Sequence, residues 1–226
     1  MLWVYKHLMG ICGVAVLLLC SGCNSETALA PSTPQASQYR PTVSKPQEVG
    51  ERLTDATVYT VDARSKDIWM YFDFSRGAVV GVQNPKTDDW DIALQRHMLR
   101  TNGGDTNPSG QGAILALPEA DFAAVKAVPE EAEFVGDVRT KKRLHAYNPA
   151  LQKWYSYSYT TNILIPKPVV YIVRTQDGKY AKMRILSYYC KDDVAGCVTF
   201  EYVYQGDGSP SFAASSARLS GAPGPR

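Results

Sequence analysis

Histidine and cysteine are the residue types in this chain that could ligate a metal, transfer protons or act as nucleophiles, and both are scarce. The chain has three histidines and five cysteines among 226 residues. Neither His97 nor His145 belongs to an H-E-x-x-H zinc motif, and the chain has no G-x-S-x-G nucleophile elbow or Gly-rich phosphate loop. The sequence therefore does not predict an enzyme, and it predicts no metal site formed by side chains.

Acidic residues around Trp90 are the alternative candidates for chemistry. Asp88, Asp89 and Asp91 could form a carboxylate cluster of the kind that acid–base catalysis requires. In an alternating strand, Asp89 and Asp91 would lie on the same face. A solvated strand edge explains the same pattern without any chemistry, and we prefer it. An envelope hydrolase that uses these aspartates is the minor alternative.

Cys23 indicates where the protein is located. It follows a basic start, roughly a dozen apolar residues and the small pair Ser21-Gly22, which is the order of a secretory signal. The apolar run is shorter than the ~20 residues that span a bilayer. A cysteine directly after the small pair resembles a bacterial lipoprotein. We therefore expect a lipoprotein signal peptide at residues 1–22 and acyl chains such as palmitate on Cys23, which anchor the protein to a membrane; a cleaved signal with a free Cys23 is the alternative.

Cys190 and Cys197 flank a polar, turn-like stretch between two strand-like runs. In an oxidising envelope compartment, this arrangement predicts a disulfide that closes a hairpin. A redox-active or metal-binding pair is the alternative, but no histidine is near either cysteine in the sequence.

Composition divides the rest of the chain into three parts. Residues 23–50 comprise the lipidated cysteine and a Pro- and Ser-rich tether, residues 51–212 the folded domain, and residues 213–226 a flexible C-terminal tail. The formal net charge is +2. A balance so close to neutral argues against nucleic acid as a partner, because nucleic-acid binding requires a strongly basic face.

Alternation of polar and apolar residues dominates the folded domain and predicts an all-β, mostly antiparallel fold with at most one or two short helices. Asp177-Gly178, between two alternating runs, predicts a hairpin with a type I′ turn. Val198–Tyr204 predicts a strand with one buried and one solvated face. Pro118–Val128 predicts a helix, with acids in its first turn and proline after it. The predicted strands are 57–62, 69–74, 90–99, 169–175, 180–188 and 198–204.

Three parts of the domain carry aromatic and glycine motifs in a fixed order: IWMYFDFSRG at 68–77, WDIALQR and RTNGG within 90–104, and WYSY, PKP, YIVRT and DGKYAK within 154–205. In order and spacing they resemble the HmuY family of haem-binding bacterial lipoproteins. The resemblance implies a hand-like β fold whose loops grip haem from opposite faces. It also implies a non-enzymatic protein that delivers haem to an outer-membrane receptor, of the TonB-dependent class.

The resemblance further implies two loop histidines as ligands of the haem iron. Asn162 stands where one of them is expected, and a neutral amide is a poor ligand for haem iron. His145 is an alternative ligand, since it lies in a basic, Pro-terminated stretch where Lys141, Lys142 or Arg143 could pair with a propionate. A solvated loop histidine beside a charge run is the simpler interpretation of His145.

His97 and Tyr159 are the remaining candidates, so the candidate haem-binding residues are His145, His97, Tyr159 and Asn162. Alternation along the strand 90–99 predicts His97 on the same face as Gln95 and Leu99, at the sheet surface or half-buried. Met98 and Met183 are further possible axial groups, with core packing as the default for Met183.

Together these observations predict a membrane-anchored lipoprotein that binds haem for iron acquisition. Asn24 follows the lipidated cysteine, and in this protein type an Asn there resembles sorting to the outer membrane. A lipoprotein that retains the fold and has lost the iron ligands, with a structural or interaction role, is the alternative.

Overall fold

Two antiparallel sheets and a separate hairpin form the part of the chain that the computed structural model describes, residues 40–42 and 56–213. No α-helix occurs in these ranges; their one helical element is a short 3₁₀ turn at Lys191–Asp193. The predicted all-β, antiparallel fold is therefore confirmed. The strands are β1 (Thr57–Asp62), β2 (Met70–Asp73), β3 (Ala78–Val80), β4 (Ile92–Gln95), β5 (Met98–Thr101), β6 (Ala113–Pro118), β7 (Tyr155–Ser158), β8 (Ile163–Pro166), β9 (Val169–Arg174), β10 (Tyr180–Tyr189) and β11 (Ala195–Gln205).

The larger sheet has five strands in the order β1-β11-β10-β9-β6, and every neighbouring pair is antiparallel. Alternation in β11 buries Phe200 and Tyr202 against Phe72 and Phe74 of the second sheet, with ring centroids 5.1 to 6.4 Å apart. Edge-to-face aromatic pairs of this kind add to the free energy of burial. The main hydrophobic core lies between the two sheets.

The opposite face of β11 is not solvated, so that prediction is wrong. Val203 packs in a second apolar cluster with Phe122, Val170, Ile172 and Phe212. Chain segments outside the sheet supply Phe122 and Phe212 and cover this face.

The predicted helix at Pro118–Val128 is absent. Pro118 ends β6, and Glu119 has a φ of 56°, which is incompatible with an α-helix. The buried Lys182 ammonium donates to the carbonyl oxygens of Phe122 and Val125, at 2.7 and 2.8 Å. A tertiary contact thus satisfies carbonyl groups that a helix would have paired within itself.

The second sheet has the order β3-β2-β4-β5. The strand predicted for Trp90–Leu99 is wrong in its length, because the chain reverses at Arg96-His97 between β4 and β5. Arg96 adopts a φ of 54°, and its backbone N–H donates to Ala63 O at 2.7 Å. Its guanidinium also donates to Ala195 O at 2.9 Å. These bonds fix the turn to the end of β1 and the start of β11 in the larger sheet.

Two predicted hairpin features are confirmed and one is wrong. Cys190 and Cys197 form the expected disulfide. The run containing Asp177-Gly178 joins β9 to β10 as an antiparallel hairpin. The turn is not type I′, because a positive φ occurs at Gly178 and not at Asp177. Gly178 N–H donates to Thr175 O at 3.1 Å, which fits a three-residue loop with glycine at its left-handed position.

The predicted signal peptide, Cys23 and most of the tether and tail lie outside the described residues. Within the tether, Thr42 N–H donates to Thr60 O at 2.9 Å, and Thr60 N–H donates to the Thr42 hydroxyl at 2.9 Å. Thr42 therefore contacts the outer edge of β1. Over the described residues, no helix has the length and apolar character needed to cross a bilayer.

Candidate functional site

A cleft of about 260 Å³ brings together two histidines that are remote in the sequence. The β4–β5 turn contributes His97, β5 contributes its first residue, Met98, the loop before β7 contributes His145, and β7 contributes its first residue, Tyr155. The other lining residues are Trp69, Leu99, Arg143, Leu144, Ala146, Tyr147 and Gln152.

His97 is held at the cleft by its backbone. Its carbonyl oxygen accepts a hydrogen bond from the buried Trp154 indole at 2.9 Å, and its ring lies edge-on to Tyr155 with centroids 5.8 Å apart. Desolvation, and then the positive charges of Arg96 and Arg143, lower the pKa of His97 below its usual value. The neutral imidazole, which is the form that ligates a metal, is therefore favoured.

The predicted placement of His97 beside Gln95 and Leu99 is wrong. Gln95 and Leu99 are buried, whereas His97 is exposed at the tip of the turn. The reversal at Arg96-His97 breaks the alternation on which that prediction rested.

His145 enters the cleft from the loop that precedes β7. Its ring lies edge-on to Trp69, with centroids 6.0 Å apart, and the Arg100 guanidinium sits 3.9 Å from the Trp69 ring centroid. The loop is closed by a pair of backbone hydrogen bonds between Val138 and Tyr147, at 2.9 and 3.1 Å. His145 is thus presented by a tied loop and an aromatic neighbour.

One cation lines the cleft, and three more precede it in the same loop. Arg143 lines the cleft and stacks on Tyr147, with its guanidinium carbon 4.1 Å from the ring centroid. Arg139, Lys141 and Lys142 precede Arg143 and are exposed, and within the described chain none of these four side chains forms an ion pair. An anionic group bound here would meet unneutralised positive charge.

Two of the four candidate ligands lie elsewhere. Tyr159 and Asn162 are at the tip of the β7–β8 hairpin and do not line the cleft. Asn162 has a φ of 56°, and its side-chain oxygen accepts a hydrogen bond from the Tyr157 hydroxyl at 2.6 Å. Tyr159 is 87% exposed and packs edge-on against Tyr157. Asparagine tolerates this left-handed conformation better than most residues, which accounts for its place in the turn.

Of the two methionines considered as axial ligands, Met98 lines the cleft, whereas Met183 is fully buried in the main core. Sequence reasoning missed Trp69 and Arg100 as parts of the site. The sequence predicts Trp69 as the first residue of a strand, and no local pattern indicates that it contacts His145.

Two of the three aspartates around Trp90, Asp88 and Asp91, accept hydrogen bonds from backbone N–H groups. Asp91 is 4% exposed, and its carboxylate accepts hydrogen bonds from the backbone N–H groups of Phe74 at 2.8 Å and Gln176 at 3.0 Å. Asp88 accepts from two backbone N–H groups in its own loop, and Asp89 is exposed. Asp89 and Asp91 both precede β4, so strand alternation does not place them. They nevertheless border one pocket, where Gln176 donates to Asp91 from its backbone N–H at 3.0 Å and to Asp89 from its side-chain amide at 3.1 Å.

Burial, followed by repulsion from Asp73, raises the pKa of Asp91 to about 7.

Throughout the described ranges, no group of three or more His, Cys, Asp or Glu residues is arranged to hold a metal ion. An iron porphyrin does not require such a group, because the macrocycle supplies the equatorial ligands and the protein supplies only the axial ones.

Comparisons with known proteins agree with this fold. The model of the HmuY protein family matches residues 65–202. A candidate lipoprotein of Bacteroides fragilis is 23% identical with a TM-score of 0.56, and the alignment covers 69% of this chain and 94% of that one. The apo HmuY analog of Tannerella forsythia is 20% identical with a TM-score of 0.55, covering 70% and 99%.

A candidate HmuY-like heme-binding protein of Bacteroides vulgatus is 25% identical with a TM-score of 0.53, and the alignment covers 70% of this chain and 98% of that one. None of the curated proteins compared with this chain matches it.

Proposed function

The chain belongs to the HmuY family, and from that premise we propose that it is a haem-binding lipoprotein of the bacterial envelope. The observation that carries the proposal is that His97 and His145 line one cleft. Two imidazoles form a recognised axial set for haem iron. The ligand pair proposed here is therefore His97 and His145, rather than Tyr159 or Asn162.

The groups around the cleft fit the rest of a haem. Trp69, Tyr147 and Tyr155 offer aromatic surface to a flat macrocycle, and Arg143 with the adjacent lysines offers charge to its propionates. A volume of about 260 Å³ is below the ~300–1,000 Å³ of typical ligand pockets. The cleft would thus enclose only part of the macrocycle and leave an edge accessible to a partner. When bound, the haem supplies the iron; the protein orients the ring and provides the axial donors.

A titration of the purified domain with hemin tests the proposal. We expect a sharp Soret band that saturates at one hemin per chain, and His97→Ala and His145→Ala should each shift and weaken it. Tyr159→Phe and Asn162→Gly are matched controls and should leave it unchanged, since glycine accepts the positive φ of residue 162. A spectrum that remains that of free hemin throughout would overturn the proposal.

The envelope location and the partner complete the proposal. Acylation of Cys23 would anchor the domain to the outer membrane, and a TonB-dependent outer-membrane receptor would receive the haem. Support for the anchor comes from the apolar run and the small residues that precede Cys23.

A second candidate function is that of an interaction lipoprotein without haem. This alternative is favoured by Asn162, which stands at the expected ligand position and whose side-chain oxygen accepts a hydrogen bond from the Tyr157 hydroxyl. The same titration separates the two, because this alternative requires that hemin leave the spectrum of the domain unchanged.

A further inference from the structure

A second cavity lies on the other side of β7 from the cleft. Tyr155 lines the cleft and the next residue, Ser156, lines a groove of about 490 Å³. Successive side chains of a strand point to opposite faces, so β7 separates the two cavities. The groove also borders β6 and the start of β9; its other lining residues are Ala116, Pro118, Glu119, Ala150, Lys153, Lys167, Pro168, Val169 and Tyr171.

Tyr171 in this groove has an unmet hydrogen-bonding group. The residue is 2% exposed, and among the described residues its hydroxyl has no hydrogen-bond partner. The hydroxyl is not one of the fully buried side-chain atoms that lack a partner, so it is accessible from the groove and can donate to a ligand or to water there. Burial raises the pKa of Tyr171, which keeps the hydroxyl protonated as a donor.

The charged and apolar residues that line the groove indicate the chemical class of ligand that it would bind. Lys153 and Lys167 line it, and neither forms an ion pair within the described ranges. The apolar side chains of Ala150 and Val169 also line it. One acid, the exposed Glu119, stands at the rim, so the lining carries a net positive charge.

We propose that this groove binds a carboxylate with a hydrocarbon tail, such as a medium-chain fatty acid, independently of the haem cleft. The carboxylate accepts a hydrogen bond from the Tyr171 hydroxyl and pairs with Lys167 or Lys153. The hydrocarbon covers Ala150, Val169 and the Tyr171 ring. The volume of about 490 Å³ lies within the ~300–1,000 Å³ of small-molecule sites.

Calorimetric titration with octanoate, below its micelle concentration, tests the proposal on the wild-type domain. We expect saturable binding of one octanoate per chain. Tyr171→Phe, which keeps the buried ring, should weaken binding about tenfold, and Lys167→Met should weaken it by a similar factor, as expected for hydrogen bonds to a charged group. Octanol, which has the same chain length without the charge, should bind at least tenfold more weakly.

Two controls locate the site. Lys141→Met removes an exposed cation outside the groove and should leave octanoate binding unchanged. His145→Ala alters the cleft and should also leave it unchanged. No detectable binding, equal affinities for octanoate and octanol, or an affinity that ignores Tyr171→Phe and Lys167→Met would each overturn the proposal. Weakening by His145→Ala would do so as well, since it would place the ligand in the haem cleft.

Discussion

Replacing Asp91 by Asn should flatten the pH dependence of the stability of the domain. The Asp91 carboxylate is buried where the end of β2 meets the β9–β10 turn, and it accepts a backbone hydrogen bond from each. Its pKa of about 7 in the fold stands against ~3.9 in an unfolded chain. Between these two values the unfolded chain releases a proton that the folded protein retains. The contribution of Asp91 to stability is therefore full below pH ~4 and is lost as the pH rises through about 7.

The size of the effect follows from the two pKa values. From pH 5 to pH 8, Asp91 alone should lower the free energy of unfolding of the wild type by about 2–3 kcal/mol. Asn carries no titrating proton, so Asp91→Asn lacks this slope. Asn also has one acceptor oxygen in place of two, which lowers stability by an amount that does not depend on pH. The difference in slope, rather than the offset, is the quantity that tests the reasoning.

Urea denaturation at pH 5, 6, 7 and 8 measures that slope. The free energy of unfolding of Asp91→Asn relative to wild type should rise by about 2–3 kcal/mol across the series. Asp89→Asn is the matched control, because Asp89 is an exposed aspartate two positions away whose side chain is 64% accessible; its curve should run parallel to that of the wild type. Parallel curves for wild type and Asp91→Asn would refute a buried, proton-retaining carboxyl at this position.

Two further predictions concern the scaffold. Replacing Cys190 and Cys197 together by Ser should lower the free energy of unfolding by about 2.5 kcal/mol, from the entropy of opening a short loop. Urea denaturation of the double variant and of the wild type with and without reductant checks this, and a variant as stable as the oxidised wild type would contradict it. Lys182→Met should speed hydrogen exchange in the segment around Phe122 and Val125, whose carbonyl oxygens would lose their ammonium donor. Unchanged exchange there would show that Lys182 does not organise the segment.

Where the sequence predictions failed, a long-range contact overrode a local preference. Pro118–Val128 has the composition of a helix start and stop, but the Lys182 ammonium takes the carbonyl groups of Phe122 and Val125. The run Trp90–Leu99 alternates like one strand, but Arg96 turns the chain back through bonds to Ala63 and Ala195. None of these three partners is a sequence neighbour, so no short window of the sequence contains the information.

The candidate site likewise combines residues that the sequence identified with contacts that only the fold creates. The sequence identified His97 and His145 as rare and chemically capable, and it identified the basic run beside His145. The family resemblance implies a ligand at position 162, which Asn162 occupies, and the fold places Asn162 at a hairpin tip that does not line the cleft. The sequence gave no signal for Trp69, whose ring packs against His145.

By itself, the sequence determined the β class, the β9–β10 and β10–β11 hairpins, the disulfide pair and the family, because alternation, turn residues, cysteine spacing and motif order are patterns visible along the chain. The tertiary structure alone decided which chemically capable residues meet. His97 and His145 share a cleft because a tight turn and a tied loop converge on Trp69 and Tyr155. Tyr171 borders a groove because three separate segments leave a gap beside its ring. Such contacts form between segments that are distant in the sequence. Their free energy depends on how the whole fold packs, and local residue preferences do not determine it.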